Sequence, residues 1–474
     1  MKKKLLAIVS VICALVCSLS LAACGNKTDG PTTTGTLNKD ENGNVIFEDV
    51  EFKLMSVVSG TDKAQFLEII DSFNKSHRGE INVVVDTLYN DTFDETVQGQ
   101  IKNRMNPPDL IMSHSSGHLN YLDNKLIQPF DETMELSGIT VDMSNYAQGF
   151  SKYSSLGVDG KLYSIPSDAQ STIILYNKTL LSKYSQTVPS TRAEWLDVSN
   201  KAKTGEGKEP ILMSTTDGST RDYIFPTAYL QNGGTMYASD NHAEWSSNAT
   251  NQDAMKKAIG SIRDLATNGL MQKGQSKEAV SAKFVADEAV FYIVTPWEVS
   301  EIISNYAKSH NKTVAQVKAD DIGAMSTSKM FAMGDNANSA NAEKIFCDSH
   351  GFMMSTTVTD INKKAAILEF IKWFTETGSI GASWAEAGHI SLSNTINNDA
   401  TYKQNDFVNN YISKFYPNIA KLEGLGNTPL ANTMTSCFGQ ILTDALKNNT
   451  DTSDATIIAE QQKKYNEAYD FSKM

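Results

Sequence analysis

Phe52-Lys-Leu-Met-Ser-Val-Val-Ser-Gly60-Thr61 is the stretch from which the fold is read. Phe52, Leu54, Met55, Val57 and Val58 make a strand, and Ser59-Gly60-Thr61 ends it. Phe66, Ile69, Ile70 and Phe73 then recur at i, i+3, i+4 and i+7, one face of a helix starting near Thr61. A second strand, Ile81-Asn-Val-Val-Val85, follows His77-Arg78-Gly79. The spacing predicts another helix from about Asp91 to Arg104, stopped by Asn106-Pro107-Pro108. Asp109-Leu110-Ile111-Met112 is a third strand, running into Ser113-His114-Ser115-Ser116-Gly117. Strands joined by helical crossovers pair in parallel, so the chain opens with an α/β lobe. Such sheets bind ligands at the carboxyl ends of their strands. Here those ends are small and polar, without the Gly-x-Gly-x-x-Gly pattern of dinucleotide sites.

Outward from that lobe, 474 residues allow about three domains or two large lobes. Hydrophobic residues make up 40% and charged residues 20%, which excludes disorder across the chain. The formal net charge is −13, and Lys2, Lys3 and Lys4 are the only charges in the first 23 residues, leaving −16 on the remainder. A field of that sign repels phosphate backbones, so nucleic acid is excluded as a partner. The five cysteines include no Cys-x-x-Cys pair, so neither a disulfide scaffold nor a cysteine-rich zinc site is expected. Cys347 and Cys437 are expected as buried free thiols.

Residues 1–23 read as an export signal: a basic Met1-Lys-Lys-Lys4, then an uncharged run from Leu5 to Ala23. The run ends in Leu21-Ala-Ala-Cys24-Gly25, which resembles the bacterial lipobox, in which the cysteine is acylated and becomes residue one. Cys24 is therefore the expected lipidation site, and two acyl chains suffice to hold a protein on a membrane. Residues 24–47, rich in Gly, Thr, Pro, Asn and Asp at their start, are expected as a flexible tether. Asp40, Asn42, Asn44 and Glu51 match calcium-loop positions, but Val45 stands where the loop demands Gly, so an Asn-Gly hairpin turn is preferred.

Beyond the first lobe, Thr172–Tyr176 and Val290–Val294 read as strands and Gln252–Leu270 as a helix. So do Gly351–Met354 as strand and the Ile367, Phe370, Ile371, Phe374 face as helix, with a mostly helical stretch from Tyr402 onward. No Gly-x-Ser-x-Gly, His-Glu-x-x-His or Walker loop with its lysine is present. The seven histidines are scattered; His114 and His118 are four apart but straddle a loop, and no metal or cofactor is expected. No catalytic residue stands out.

Landmarks then line up along the mature chain. They include Pro108-Asp109-Leu110-Ile111, Gly160-Lys161-Leu162-Tyr163-Ser164-Ile165-Pro166, Tyr176-Asn177-Lys178, Gln231-Asn232-Gly233-Gly234, Thr295-Pro296-Trp297 and Ala387-Gly388-His389. In order and spacing this series resembles the extracellular solute-binding proteins of ATP-driven sugar importers, the maltose-binding-protein-like family. The resemblance implies a type II periplasmic-binding-protein-like fold, with two hinge-linked α/β lobes and a central ligand cleft. The first lobe would comprise 48–170 and 339–395, the second 171–338 and 396–474, with hinges near Ser167–Thr172 and near residues 339 and 395. It also implies a monomer on the outer face of the bacterial membrane, delivering a carbohydrate to an ABC permease with its ATPase subunits.

Sugars offer an apolar C–H face that stacks on aromatic rings and a rim of hydroxyls that needs donors and acceptors. By the resemblance, Trp297 and Tyr223 are candidates for stacking, and Asp168 and Gln170, after the Ile165-Pro166 strand, for hydroxyl contacts. Ser113 and His114 stand where maltose-binding protein carries a tryptophan, so they would supply hydrogen bonds instead. Trp384 and His389 flank the Ala387-Gly388 landmark near the expected cleft. Open alternatives are a glycerophosphodiester, polyamine or peptide cargo, a surface-anchored carbohydrate enzyme, and an adhesin or sensor partner.

Overall fold

A computed structural model describes residues 31–88, 90–147, 157, 159–425, 428, 430–447 and 453–473. The expected signal segment 1–23, Cys24 and the tether as far as residue 30 lie outside the described residues.

The opening pattern folds as its periods predict. Strand β1 (Val50–Ser56) pairs in parallel with β2 (Ile81–Thr87) and, on its other side, with β3 (Leu110–His114). Helices Lys63–Ser76 and Asn90–Asn103 make the crossovers. The first buries Phe66, Ile69, Ile70 and Phe73. Strand β4 (Ile127–Gln128), then β5 (Ile165–Pro166) and β6 (Asp168–Ala169), carry the chain to a second sheet. That sheet is built from β7 (Ile173–Asn177), β8 (Ile211–Met213), β9 (Phe291–Val294) and β10 (Ile322–Met325) in the order β10-β7-β9-β8. Strands β11 (Ile345–Phe346) and β12 (His350–Ser355) lead back, followed by β13 (Ile390–Ser391) and β14 (Leu422–Glu423).

The first sheet is mixed, in the order β2-β1-β3-β12-β4 with β5 also on β12, because β12 runs antiparallel to β3. All six residues of β12 are buried, so its apolar run holds no alternation that could name its neighbour. The chain crosses between the sheets three times: between β5 and β7, between β10 and β12, and between β13 and β14. Two small pairings stitch the crossings together, β13 on β6 and β11 on β14, and Gln170 bridges Asp348. Helices Asn394–Asn398 and Ala400–Gln404 pack on Gly378–Glu386, so the third crossing comes after residue 404. Against the second sheet lies a helical layer that includes Gly218–Gln231, Ala249–Thr267, Ala431–Leu446 and Asp454–Ser472.

The tether expected to residue 47 is corrected in its described part. The Thr34 amide donates to the Thr359 carbonyl (2.8 Å) and the Ile361 amide donates back to Thr34 (2.9 Å). Lys364, 1% exposed, donates to Thr33 Oγ1 at 2.9 Å. A buried ammonium left unpaired is costly, which gives the body a reason to hold this segment. The Asn-Gly turn forms: Asp40 Oδ1 accepts from the amides of Asn42 and Asn44, and Gly43 has φ +85°. Cys347 and Cys437 are buried free thiols.

The halves touch at a lip beside the cleft. Thr61, just past β1, donates from Oγ1 to the Trp297 carbonyl (3.0 Å), and Ser300 Oγ donates to the Glu386 carbonyl (3.1 Å). Gly388 adopts φ +96°, and a Cβ there would lie 2.5 Å from the Pro296 carbonyl and the Trp297 nitrogen. Only glycine admits both the left-handed backbone and this approach. Gly388→Ala is expected to cost about 2 kcal/mol, from backbone strain plus overpacking. Urea unfolding measures the loss, and a larger radius of gyration in solution scattering would report a lip forced apart. An unchanged midpoint and radius would show that this contact constrains nothing.

Candidate functional site

A cleft of about 670 Å³ lies where the strand ends of the first sheet face the second sheet's helices. The same turns that end β1 and β3 form one wall: Ser59, Gly60 and Asp62 from the first, His114, Ser116 and Gly117 from the second. Helix Asn90–Asn103 adds Asp94 and Glu95. The floor comes from the crossings, with Gln170, Asp348 and His350. Opposite stand Asp222 and Tyr223 on helix Gly218–Gln231 and Trp297 after β9.

Three aromatic rings form an arc. Tyr223 lies 6.3 Å from Trp297 in an edge-on arrangement and 5.9 Å from Phe346. Rings locked edge to face present flat surfaces at low entropic cost. Facing them are carboxylates held in place by the protein. Asp94 Oδ1 accepts from the Tyr121 hydroxyl (2.7 Å) and from Ser113 Oγ (3.2 Å). Asp348 accepts from Ser116 Oγ at 2.7 Å and from its neighbour's amide at 2.8 Å. Among the described residues, the lining carries no Lys or Arg. Arg221, the basic residue nearest the expected contacts, instead pairs with Asp222 at 2.9 Å and donates to Thr443.

Of the residues singled out from the sequence, Trp297, Tyr223, Gln170 and His114 come together on the cleft wall. Ser113 is buried behind it, supporting Asp94. Asp168, Trp384 and His389 are not brought to the wall. They form a buried cluster under the floor, at 0%, 2% and 1% exposure, and their expected contact with ligand is corrected to a supporting position. Trp384 Nε1 donates to Asp168 Oδ2 (2.7 Å) and its ring stacks on His389 at 4.0 Å. The cause is the pairing of β13 with β6, which folds the Ala387-Gly388-His389 turn inward.

Sequence reasoning missed Asp62, Asp94, Phe346, Asp348 and His350. Asp62 stands at the helix N-cap position, where Asp ordinarily caps, yet makes no cap hydrogen bond; its carboxylate meets His389 Nε2 at 2.9 Å. Cys347-Asp348-Ser349 between two short apolar runs was the one available signal for Asp348.

His114 and Asp348 form the floor's ion pair, Nδ1 to Oδ2 at 3.5 Å, with Gln170 Nε2 3.4 Å from the same nitrogen. Burial pushes the His114 pKa down, but the hydrogen bond and charge of Asp348 outweigh it and hold the pKa above the ordinary value. Burial pushes Asp348 up, and His114, Ser116 and the Ser349 amide hold it below the usual carboxylate range. A raised imidazole stabilises below its unfolded pKa of about 6.5 and loses that contribution as pH rises through the folded value. A depressed carboxylate stabilises above about 3.9 and loses it as pH falls through the folded value. The pair therefore contributes most between about pH 4 and 6.5. Asp348→Asn is expected to drop the His114 pKa, read by NMR titration, since burial then meets less opposition. A His114 pKa indifferent to that change would dissolve the pairing.

Residues 58–380, well over half of the chain, match the family described as bacterial extracellular solute-binding protein. The galactooligosaccharide-binding protein of Bacillus subtilis (strain 168) is 25% identical over 303 residues, covering 63% of this chain and 64% of that relative. The sn-glycerol-3-phosphate-binding periplasmic protein UgpB of Rhizobium meliloti (strain 1021) is 27% identical over 172 residues, 35% of this chain and 39% of its own. The chain thus spans under two thirds of the length of both curated relatives. Among solved structures, the sugar-binding protein MalE from Xanthomonas citri superposes with a TM-score of 0.68 at 15% identity, covering 90% of this chain and 98% of that one. That likeness fixes the fold as the two-lobed type II binding-protein architecture, whose two sheets and cleft are those described above. With the match taking in the second sheet, most of the first and most of the cleft lining, the chain belongs to the bacterial extracellular solute-binding protein family.

Proposed function

We propose that this protein captures an uncharged oligosaccharide between its lobes and presents it, chemically unaltered, to an ABC importer. The observation that carries the reading is the cleft itself: an aromatic arc of Phe346, Tyr223 and Trp297 facing anchored carboxylates and Gln170, with no Lys or Arg among the described lining residues. Rings suit the C–H face of a pyranose, and carboxylates accept from hydroxyls. The sugar-binding names of the Bacillus and Xanthomonas proteins support the same class of cargo. A phosphate ester, such as the sn-glycerol 3-phosphate of UgpB's name or a glycerophosphodiester, meets five lining carboxylates here and is disfavoured by repulsion. Those same carboxylates favour a polyamine as the second reading.

The lobes we assign are 48–170 with 339–395 and 171–338 with 396–474, and the packing of helices 394–404 extends the first lobe toward residue 405. Ligand drives closure only through its differential affinity for the closed form. The contacts at Thr61, Trp297 and Gly388 are what a closed lip adds. A lipidated Cys24 would hold this monomer on the outer membrane face, beside the permease and ATPase subunits it serves, with no cofactor and no bond chemistry.

A thermal-shift screen of the purified protein against mono- and oligosaccharides tests the cargo. A ligand at a hundredfold excess over Kd stabilises by about 2.7 kcal/mol. If polyamines shift melting and no sugar does, the cargo class is wrong. With a sugar in hand, Trp297→Ala is expected to weaken binding at least tenfold, about 1.4 kcal/mol, by calorimetry. An unchanged Kd would remove Trp297 from the site.

A further inference from the structure

Beneath the cleft floor, three side chains from distant parts of the chain point donor atoms at one another. Asp168 comes from β6, His350 opens β12, and His389 precedes β13. All three are buried, and one ligand atom from each lies within 4.8 Å of the others. Asp168 Oδ2 is 3.0 Å from His350 Nδ1 and 3.5 Å from His389 Nδ1. Ligands held at zinc distances around a tetrahedral ion sit about 3.3 Å apart, and the two distances from Asp168 bracket that value.

The state of His389 adds a second, independent observation. Its Nε2 meets the Asp62 carboxylate at 2.9 Å, its ring is 1% exposed and fixed by stacking on Trp384, and its Nδ1 makes no hydrogen bond. A neutral ring donating from Nε2 to Asp62 aims a bare lone pair from Nδ1 at the Asp168 oxygen. Two acceptors facing each other in a dry interior repel unless a cation stands between them. A carboxylate on the far nitrogen is also the usual partner of a metal-bound imidazole, since it fixes the tautomer and raises basicity. Trp384 Nε1 and the His350 amide, donating to the two oxygens of Asp168, complete that outer layer at 2.7 and 2.8 Å.

We propose that Asp168, His350 and His389 form a binding site for one divalent transition-metal ion, with zinc as the best fit to two imidazoles and a carboxylate. His350 and Asp62 line the cleft, so an ion reaches the site from there. Entry at His350 Nδ1 moves the proton of that neutral ring to Nε2, so the ring keeps one proton and none is released. The ion would join the first crossing, β12 and the turn before β13, making one rigid piece of the floor under Gln170 and His114. This site is separate from sugar capture and stands or falls without it.

The test is zinc titration of the metal-free full chain in detergent, with Co²⁺ as the absorbing probe. Expected are one ion per chain and visible ligand-field bands with cobalt. His389→Gln should weaken binding at least a hundredfold, and Asp62→Asn, which touches only the outer layer, about ten- to a hundredfold. His242, which reaches Asp240 at 3.2 Å and Asp470 at 2.8 Å, is the surface competitor, and His242→Ala should change nothing. Failure of the wild type to bind zinc or to develop cobalt bands overturns the proposal, whatever the variants' folding. So does binding that survives His389→Gln or vanishes with His242→Ala. In those cases a proton on His389 is the cation facing Asp168.

Discussion

One buried carboxylate organises the centre of this molecule. Asp168 has no exposed surface and sits where the chain leaves the first sheet for the second. An ionised carboxylate in that position survives only if fully partnered, and removing one partner of such a group costs several kcal/mol. Its partners come from other crossings: the His350 amide and ring from the start of β12, and the Trp384 indole from the helix before β13. Satisfying one charge thus aligns three chain segments far apart in sequence. Burial pushes its pKa up, and His350 and His389 hold it below the ordinary carboxylate range.

From that centre the cleft's walls take their places. The β6–β13 pairing sets Gly388 against the backbone of Pro296 and Trp297, which positions an aromatic ring of one lobe by contact with the other. The bridge between Gln170 and Asp348 sets the floor's hydrogen-bonding edge. On β11 the alternation of a strand sends Phe346 into the cleft and Ile345 to the opposite side, where it lines a second cavity. A crossing strand therefore carries part of the cleft wall. The crossings between the sheets and the cleft lining thus share residues.

The first lobe's core was legible because its signals are local. Strand runs separated by a 3.6-period helix name a βαβ unit without any knowledge of partners. The insertion of β12 between β3 and β4 was not legible, since a fully buried strand shows no alternation that names its neighbour. Trp297 and Tyr223 were reachable through the family resemblance, Trp297 as the end of the Thr295-Pro296-Trp297 landmark and Tyr223 by its place before Gly233-Gly234. Asp168, Trp384 and His389 were placed correctly along the chain and wrongly in depth: linear spacing does not tell a residue on a cleft wall from one a layer below. Asp62 was hidden by its similarity to an ordinary N-cap.

The amino-acid order alone determined the α/β class, the paired parallel strands with their polar carboxyl ends, the acidic balance and the family landmarks. These follow from periodicity, composition and short motifs, which need only neighbouring residues. The tertiary structure decided which carboxylates face the cleft, which histidines turn inward, and that Phe346 completes the aromatic arc. Those outcomes depend on strand pairings between segments more than two hundred residues apart, such as β6 with β13 and β3 with β12. Their energies arise only once the segments have met.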